Sequence, residues 1–290
     1  MTAYHDVIRQ HCCAVAPRAT GVNPQLREIP GLRAVLFDIY GTLFVSGCGD
    51  VGTVAGLDMQ SAAASALAAV GLTSASDHDV AEVLRETIAR HHADRRAEGI
   101  EHPEVDILDV WSETLCTIGL LPSTWAATWD PRRLAIEYEC RVNPVWPMPH
   151  LLETLEGLRG LKLTLGLISN AQFFTPELFL ALLGETAESI GFDEQLQYYS
   201  YRHLRAKPDV WLFQQARESL ASRRIEKDEV LYVGNDMLND VWAASRSGFR
   251  TALFAGDARS LRRRETDPRL QGVRPDVVIT DLVQLLKIIG

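Results

Sequence analysis

Ala34-Val35-Leu36-Phe37-Asp38-Ile39-Tyr40-Gly41-Thr42-Leu43 is an apolar run that ends in a carboxylate and then turns at Gly41 and Thr42. A short apolar run bounded by a turn signal reads as a strand buried on both faces, as in a parallel sheet. Ligands of open α/β sheets bind beyond the carboxyl ends of the strands, so this pattern presents Asp38 at the mouth of a site. An Asp that merely ends a strand and supports a turn before Gly looks the same in isolation. The segments on either side decide between the two readings.

Upstream, Met1 to Arg18 suits a short helix, and a Pro- and Gly-punctuated lead-in runs to Pro30. Residues 1–30 therefore read as an N-terminal extension packed on the core, without chemistry of its own. Immediately downstream, Val45-Ser46-Gly47-Cys48-Gly49-Asp50-Val51-Gly52 is rich in glycine, which suits a hinge or flap close to a ligand. Its spacing matches no phosphate-cradling loop.

From Asp58 to Val142 the pattern is helical. Met59 to Val70 is Ala-rich, and Asp77 and Asp79 are positioned to cap a helix through Val83, Leu84, Ile88 and His91. Pro103 is expected in the first turn of a helix holding Val105, Leu108, Trp111 and Leu115, and Pro131 opens another through Leu134, Ile136 and Tyr138. Arg90, His91, His92, Arg95 and Arg96 read as a solvated basic face. His102, Glu104 and Asp106 read as a charged helix start rather than metal ligands.

Asn143-Pro144-Val145-Trp146-Pro147-Met148-Pro149 is a proline-rich return segment that reads as the second linker between the domains. Beyond it strands and helices alternate: a helix over His150 to Leu158, a strand from Leu161 to Ile168 ending in Ser169-Asn170, and a helix from Phe174 to Leu183. A short strand follows at Gln197 to Tyr201, and Lys207-Pro208-Asp209 opens a helix through Trp211 and Phe213. Val230 to Val233 is a strand ending in Gly234-Asn235-Asp236, with Asp240 at a helix start. Thr251 to Phe254 and Val277 to Ile279 are strands, and Leu282 to Ile289 is a closing helix. This alternation implies α/β architecture with a Rossmann-like, doubly wound parallel sheet and an inserted all-helical cap. The expected division is an extension at 1–30, a core at 31–46 and 144–290, and a cap at 47–143.

A net charge of -9 excludes nucleic acid as the main partner, because no basic field attracts the phosphate backbone. It leaves room for a small anionic substrate, since a metal or lysine inverts the field locally. Cys12, Cys13, Cys48, Cys116 and Cys140 show no zinc-type spacing and no disulfide framework, which fits a reducing compartment. No apolar run approaches a membrane span, and residues 1–30 lack a signal-peptide core. The expectation is a cytoplasmic protein, monomer or homodimer, acting on a small molecule.

Asp38 with Thr42, Ser169 with Asn170, Lys207, and Asp236 with Asp240, each at a strand end or helix start and in that order, resemble the haloacid dehalogenase-like (HAD) hydrolases. The resemblance runs from Ala34 to the C-terminus, and the helical insert resembles that superfamily's C1 cap. It implies that Asp38 is a nucleophile forming a covalent aspartyl intermediate. It further implies that Asp38, Asp236 and the Tyr40 carbonyl ligate Mg²⁺, with Asn235 or Asp240 in the same shell. Gly41, Ser169, Asn170 and Lys207 would then hold the transferring group, and Lys207 would also fix Asp38.

Two departures divide the chemistry. HAD phosphatases carry a second Asp two residues after the nucleophile as general acid and base; Tyr40 stands there, and DxYGTLF resembles the 2-haloacid dehalogenases. Those enzymes need no metal, but they carry a halide-binding arginine that Phe44 to Ala69 does not supply. The acidic segment Gly234 to Asp240 resembles the phosphatases instead. Phosphate-ester hydrolysis with Mg²⁺ ranks ahead of metal-independent dehalogenation, and a non-catalytic phosphate-binding protein is a third reading.

Overall fold

In the computed structural model, β1 (Ala34–Phe37) is fully buried, and its alternate residues face two different cores. Val35 and Phe37 enter one hydrophobic cluster. Ala34 and Leu36 enter the other, so helices cover both faces as the unbroken apolar run demands. The structure describes residues 3–48, 58–72, 79–120 and 130–289. Asp77 and the Gly49–Gly52 half of the glycine-rich stretch lie outside these.

β1 pairs in parallel with β4 (Thr164–Ser169) on one side and β6 (Val230–Gly234) on the other. The sheet continues outward to β5 (Phe192–Tyr199) and to β7 (Arg250–Phe254) and β8 (Val277–Ile279), in the order β5-β4-β1-β6-β7-β8. The chain winds outward to β5 and then crosses to β6, so the winding reverses at β1. The crevice outside the carboxyl end of β1 is where such a sheet opens to a ligand. β5 begins at Phe192, well before the strand expected at Gln197, because an edge strand tolerates the polar run Asp193-Glu194-Gln195.

After β1 the carbonyl of Ile39 accepts from the amides of Thr42 (3.2 Å), Leu43 (2.9 Å) and Phe44 (3.0 Å), winding a tight turn. Gly41 sits at φ +81° there, and a Cβ on it would meet Ser260 Cβ at 2.5 Å. Glycine is required on both counts. The chain leaves and re-enters the sheet region through an antiparallel pair, β2 (Phe44–Ser46) with β3 (Val145–Pro147), so the proline-rich return segment is a strand rather than a bare linker.

Between these strands lie α2 (Met59–Ala69), α3 (Val80–Ala97), α4 (Ile107–Thr117) and α5 (Pro131–Val142). They share a separate core around Trp111, which stands edge-on to Tyr138 at 5.2 Å between ring centroids. No strand occurs among their described residues. Asp79 caps α3, and Asp130 caps α5 ahead of Pro131. The expected role of Pro103 is corrected: Asp106 caps α4, which begins only at Ile107. Pro103 instead forms a bridge with Arg205, while Glu104 N donates to Leu204 O (3.1 Å) and Ala206 N to His102 O (2.8 Å). The extended backbone that this pairing imposes keeps Pro103 and Glu104 out of the helix and ties the helical insert to the segment before Lys207.

The N-terminal segment begins with α1 (Ala3–His11), which packs against α5 and the helix Thr175–Leu183. It then passes the segment after β7, where Arg18 N donates to Asp257 Oδ1 at 3.0 Å. Gln25 N donates to Val278 O (2.8 Å) and Val278 N returns a bond to Gln25 O (3.1 Å), so the lead-in pairs with the edge of β8. Among the described residues no helix is long and apolar enough to cross a membrane.

Candidate active site

Three neighbouring strands and one loop deliver the floor of a crevice. Asp38 follows β1, Ser169 ends β4, Asp236 and Asp240 follow β6, and Lys207 precedes the helix Trp211–Ser222. All five are buried. Lys207 Nζ donates to Asp38 Oδ1 at 2.7 Å and to Asp240 Oδ1 at 2.6 Å, and lies 3.1 Å from Tyr232 Oη and 3.3 Å from the Ile168 carbonyl. Ser169 Oγ donates to the same Asp38 oxygen at 2.9 Å. Among the described residues no hydrogen bond reaches Asp38 Oδ2, and Asp38 lines the cavity above.

The charges explain the spacing. Burial alone would lower the Lys207 ammonium, but Asp240 and Asp38 outweigh it and hold its pKa above the ordinary value. Burial pushes Asp240 up to about 7 against the pull of Lys207, with Asp38 and Asp236 adding to the rise. Two carboxylates this close are tolerable because a cation lies between them. Tyr232, which the sequence did not mark, donates to Ile168 O at 2.8 Å and fixes the lysine's fourth neighbour.

Asn170 takes a supporting position. Its Oδ1 accepts from Lys207 N (2.7 Å) and its Nδ2 donates to Lys207 O (3.1 Å), clamping the lysine's own backbone. Thr42 Oγ1 donates to Asn235 Oδ1 at 3.0 Å, and Asn235 Nδ2 donates to Ser260 O at 2.6 Å, so Thr42 braces the β1 and β6 tips against each other. Tyr40 lines the cavity, but its hydroxyl bonds Thr175 Oγ1 at 2.9 Å, and burial raises its pKa well above the ordinary phenol value. It is a poorer proton donor at neutral pH than the carboxylic acid it stands in for.

Asp236 has a partner that the sequence reading missed. The Arg264 guanidinium grips both carboxylate oxygens, Nε at 2.8 and 2.9 Å and Nη2 at 2.6 Å. Oδ1 also accepts the amides of Leu238 (2.8 Å) and Asn239 (3.1 Å). Asp240 Oδ2 accepts Asp236 N at 2.9 Å, and its Oδ1 serves Lys207, so both of its oxygens are engaged. Among the described residues no three His, Cys, Asp or Glu side chains stand together as a metal cluster. Asp38, Asp236 and the Tyr40 carbonyl are hard oxygen donors of the kind Mg²⁺ takes. The set fits that ion in chemistry, with Arg264 on one of its members.

The cavity over this floor measures about 920 Å³ and is lined on its other side by residues of the helical insert. Met59, Leu84, Ile88, Val105, Tyr138 and Val142 give it apolar walls. Glu139 also lines it; Asn143 Nδ2 donates to its Oε1 at 3.3 Å, and burial pushes its carboxyl up to about 7. His92 reaches the cavity, so the basic face of α3 is solvated only in part; Arg90 and His91 pair outward with Glu113. Glu104 accepts from Ser200 Oγ at 2.7 Å and Asp106 caps α4, which accounts for both without a metal. All five cysteines are free thiols.

Comparison with known proteins places this geometry among relatives. A family model described as haloacid dehalogenase-like hydrolase matches residues 32–248. Pyrophosphatase PpaX of Oceanobacillus iheyensis is 28% identical over 148 residues, a match covering 51% of this chain and 62% of that protein. The chain thus spans less than two thirds of that relative's length. The crystal structure of 2-haloacid dehalogenase from Pseudomonas syringae superposes with a TM-score of 0.55 at 20% identity, covering 89% of this chain and 97% of the other. HAD phosphatase from Thermococcus onnurineus gives 0.52 at 21% identity, with coverage of 89% and 97%. At these identities the likeness is one of fold, and the fold is shared by proteins of both names.

Proposed function

The chain belongs to the haloacid dehalogenase-like hydrolases, and from that premise we propose that it hydrolyses a phosphate ester of a small metabolite through a covalent intermediate on Asp38. The observation that carries this reading is Lys207 bridging Asp38 and Asp240 while Ser169 holds the same Asp38 oxygen, in a crevice whose next strand tip is also acidic. With Oδ1 pinned by two donors, Oδ2 is the atom left to attack.

In the first step Oδ2 attacks phosphorus and the ester oxygen departs. Lys207 stabilises the charge gathering on the transferring group, and Ser169 is the hydroxyl placed to turn toward it. Water then cleaves the aspartyl phosphate and regenerates Asp38. Asp38, Asp236 and the Tyr40 carbonyl would hold Mg²⁺, whose charge offsets the repulsion between an anionic nucleophile and an anionic substrate. Because the Tyr40 hydroxyl is a weak acid here, esters with good leaving groups are the preferred substrates. The apolar upper walls favour an organic ester over inorganic diphosphate.

The test is magnesium-dependent release of p-nitrophenol from p-nitrophenyl phosphate beside an alkyl phosphate. Faster turnover of the aryl ester supports the reading, and equal turnover removes the Tyr40 argument. Tyr40 within DxYGTLF favours a second reading, 2-haloacid dehalogenation. Chloride release from 2-chloropropionate in the presence of a chelator, with no phosphatase activity, would establish it instead. Binding of Mg²⁺ and phosphate without turnover of either substrate class would mark a non-catalytic protein.

A further inference from the structure

Asp236 is saturated. Its Oδ1 accepts Arg264 Nε and two backbone amides, and its Oδ2 accepts Arg264 Nε and Nη2. A carboxylate offers about four lone-pair positions in all. The two amides belong to the helical turn that Asp236 caps, so a divalent ion binding this side chain directly takes its place from the guanidinium, which supplies both contacts described at Oδ2. Arginine cannot yield by losing its proton, because it stays charged at any working pH. It can yield only by moving.

The placement of Arg264 is built into the fold. Arg262 N donates to Asn235 O at 3.0 Å and Met237 N donates to Arg262 O at 2.8 Å, so the segment after β7 is stitched to the tip of β6. Arg264 follows in a left-handed backbone conformation, φ 45°, that turns its side chain back over Asp236. Lys207 is committed to Asp38 and Asp240. The Arg264 side chain is 34% exposed, against 3% for Lys207, so one cation is fixed and the other is hinged on a long stem.

We propose that Arg264 is the resident counter-cation of Asp236, which a divalent ion must displace, and that the displaced guanidinium remains in the cavity as a ligand for an anionic group of the substrate. The metal and the guanidinium exclude each other on one carboxylate. Arg264 and Arg262 both line the cavity, so the released side chain is already where an incoming phosphate arrives. Guanidinium favours such a ligand because its fork matches two phosphate oxygens. The proposal rests on the magnesium reading above, and its test does not depend on turnover.

Mn²⁺ serves as the probe, its binding to the wild-type protein and to Arg264→Met followed by electron paramagnetic resonance or calorimetry without substrate. The neutral variant should bind Mn²⁺ about 10- to 100-fold more tightly, Arg264→Lys should lie between, and Asp236→Asn should abolish the gain. Inorganic phosphate titrated in the presence of Mg²⁺ should bind Arg264→Met about 10-fold more weakly than wild type. Near-equal Mn²⁺ affinities, or no Mn²⁺ binding by either protein, overturn the displacement. Unchanged phosphate affinity overturns the second role. Retained hydrolysis of p-nitrophenyl phosphate in either event leaves the Asp38 assignment standing.

Discussion

The floor of the crevice and its walls are held by different means. On the floor, Asp38, Ser169, Lys207 and Asp240 hang from the tips of adjacent strands and the loop beside them, and the lysine ties two carboxylates together out of water. On the walls, Arg264 reaches in from the segment after β7 and Glu139 from α5, one partly exposed and the other held by a single long hydrogen bond from Asn143. That part of the floor is rigid because Lys207, Asp38 and Asp240 are one another's buried partners. The walls carry charge that can move or change. The proposed function gives chemistry of fixed geometry to the first, and adjustment to an arriving substrate to the second.

That contrast can be broken most forcefully at Asp38, the proposed nucleophile. Asp38→Asn keeps the shape and removes the oxygen proposed to attack, so turnover should fall on the order of 10⁴-fold or more while the melting temperature changes little. Surviving turnover would move the chemistry off the floor. Lys207→Met leaves Asp38 and Asp240 buried without their cation, and losing one partner of such a cluster costs about 3–5 kcal/mol. For a chain of this size that lowers the melting temperature by roughly 10 °C. A small shift would mean that water or counter-ions reach the floor after all.

On the walls the effects should be smaller and tied to conditions. Burial raises the Glu139 pKa from 4.5 to about 7, so the folded protein binds that proton more tightly than the unfolded chain. The resulting stability is present below the unfolded value and is lost as pH rises through the folded one. Glu139→Gln should flatten the fall in stability between pH 4.5 and 7, a difference of roughly 2–3 kcal/mol at the upper end. Chemical denaturation at several pH values reads this directly, and identical profiles for both proteins would place Glu139 in ordinary solvent. Arg264→Met should change stability least, by about 1–2 kcal/mol, since it leaves one buried carboxylate without its guanidinium where Lys207→Met leaves two without their ammonium. A loss as large as that from Lys207→Met would make Arg264 part of the fixed floor.

The same division separates what the sequence disclosed from what it concealed. Asp38, Ser169 and Asp236 each end a short apolar run, and the parallel sheet makes the end of such a run a ligand-facing position. Lys207 is marked by its place before a helix and by order along the chain. Arg264 has no such signal. It falls in a run of three arginines, Arg262-Arg263-Arg264, between two strands, and such a run reads as solvated surface. Only the backbone stitching of Arg262 to Asn235 and Met237 brings it inward. Glu139 sits in a helix with Glu137, whose carboxylate pairs instead with Arg141 and His11. Helical periodicity gives the two faces and leaves open which one looks into the crevice. The missed start of β5 has a similar cause, since an edge strand need not alternate.

The lead-in before β1 does more than fill space. Through Gln25 and Val278 it occupies hydrogen-bonding positions along β8 that would otherwise face solvent at the margin of the sheet. A bare margin is a template on which a second molecule can add a strand and seed aggregates. Versions of this protein trimmed to the familiar hydrolase boundary near residue 32 would lose that cover. They should be stickier than the longer chain even with every reacting group intact, which makes the first thirty residues a matter of solubility before they are one of catalysis.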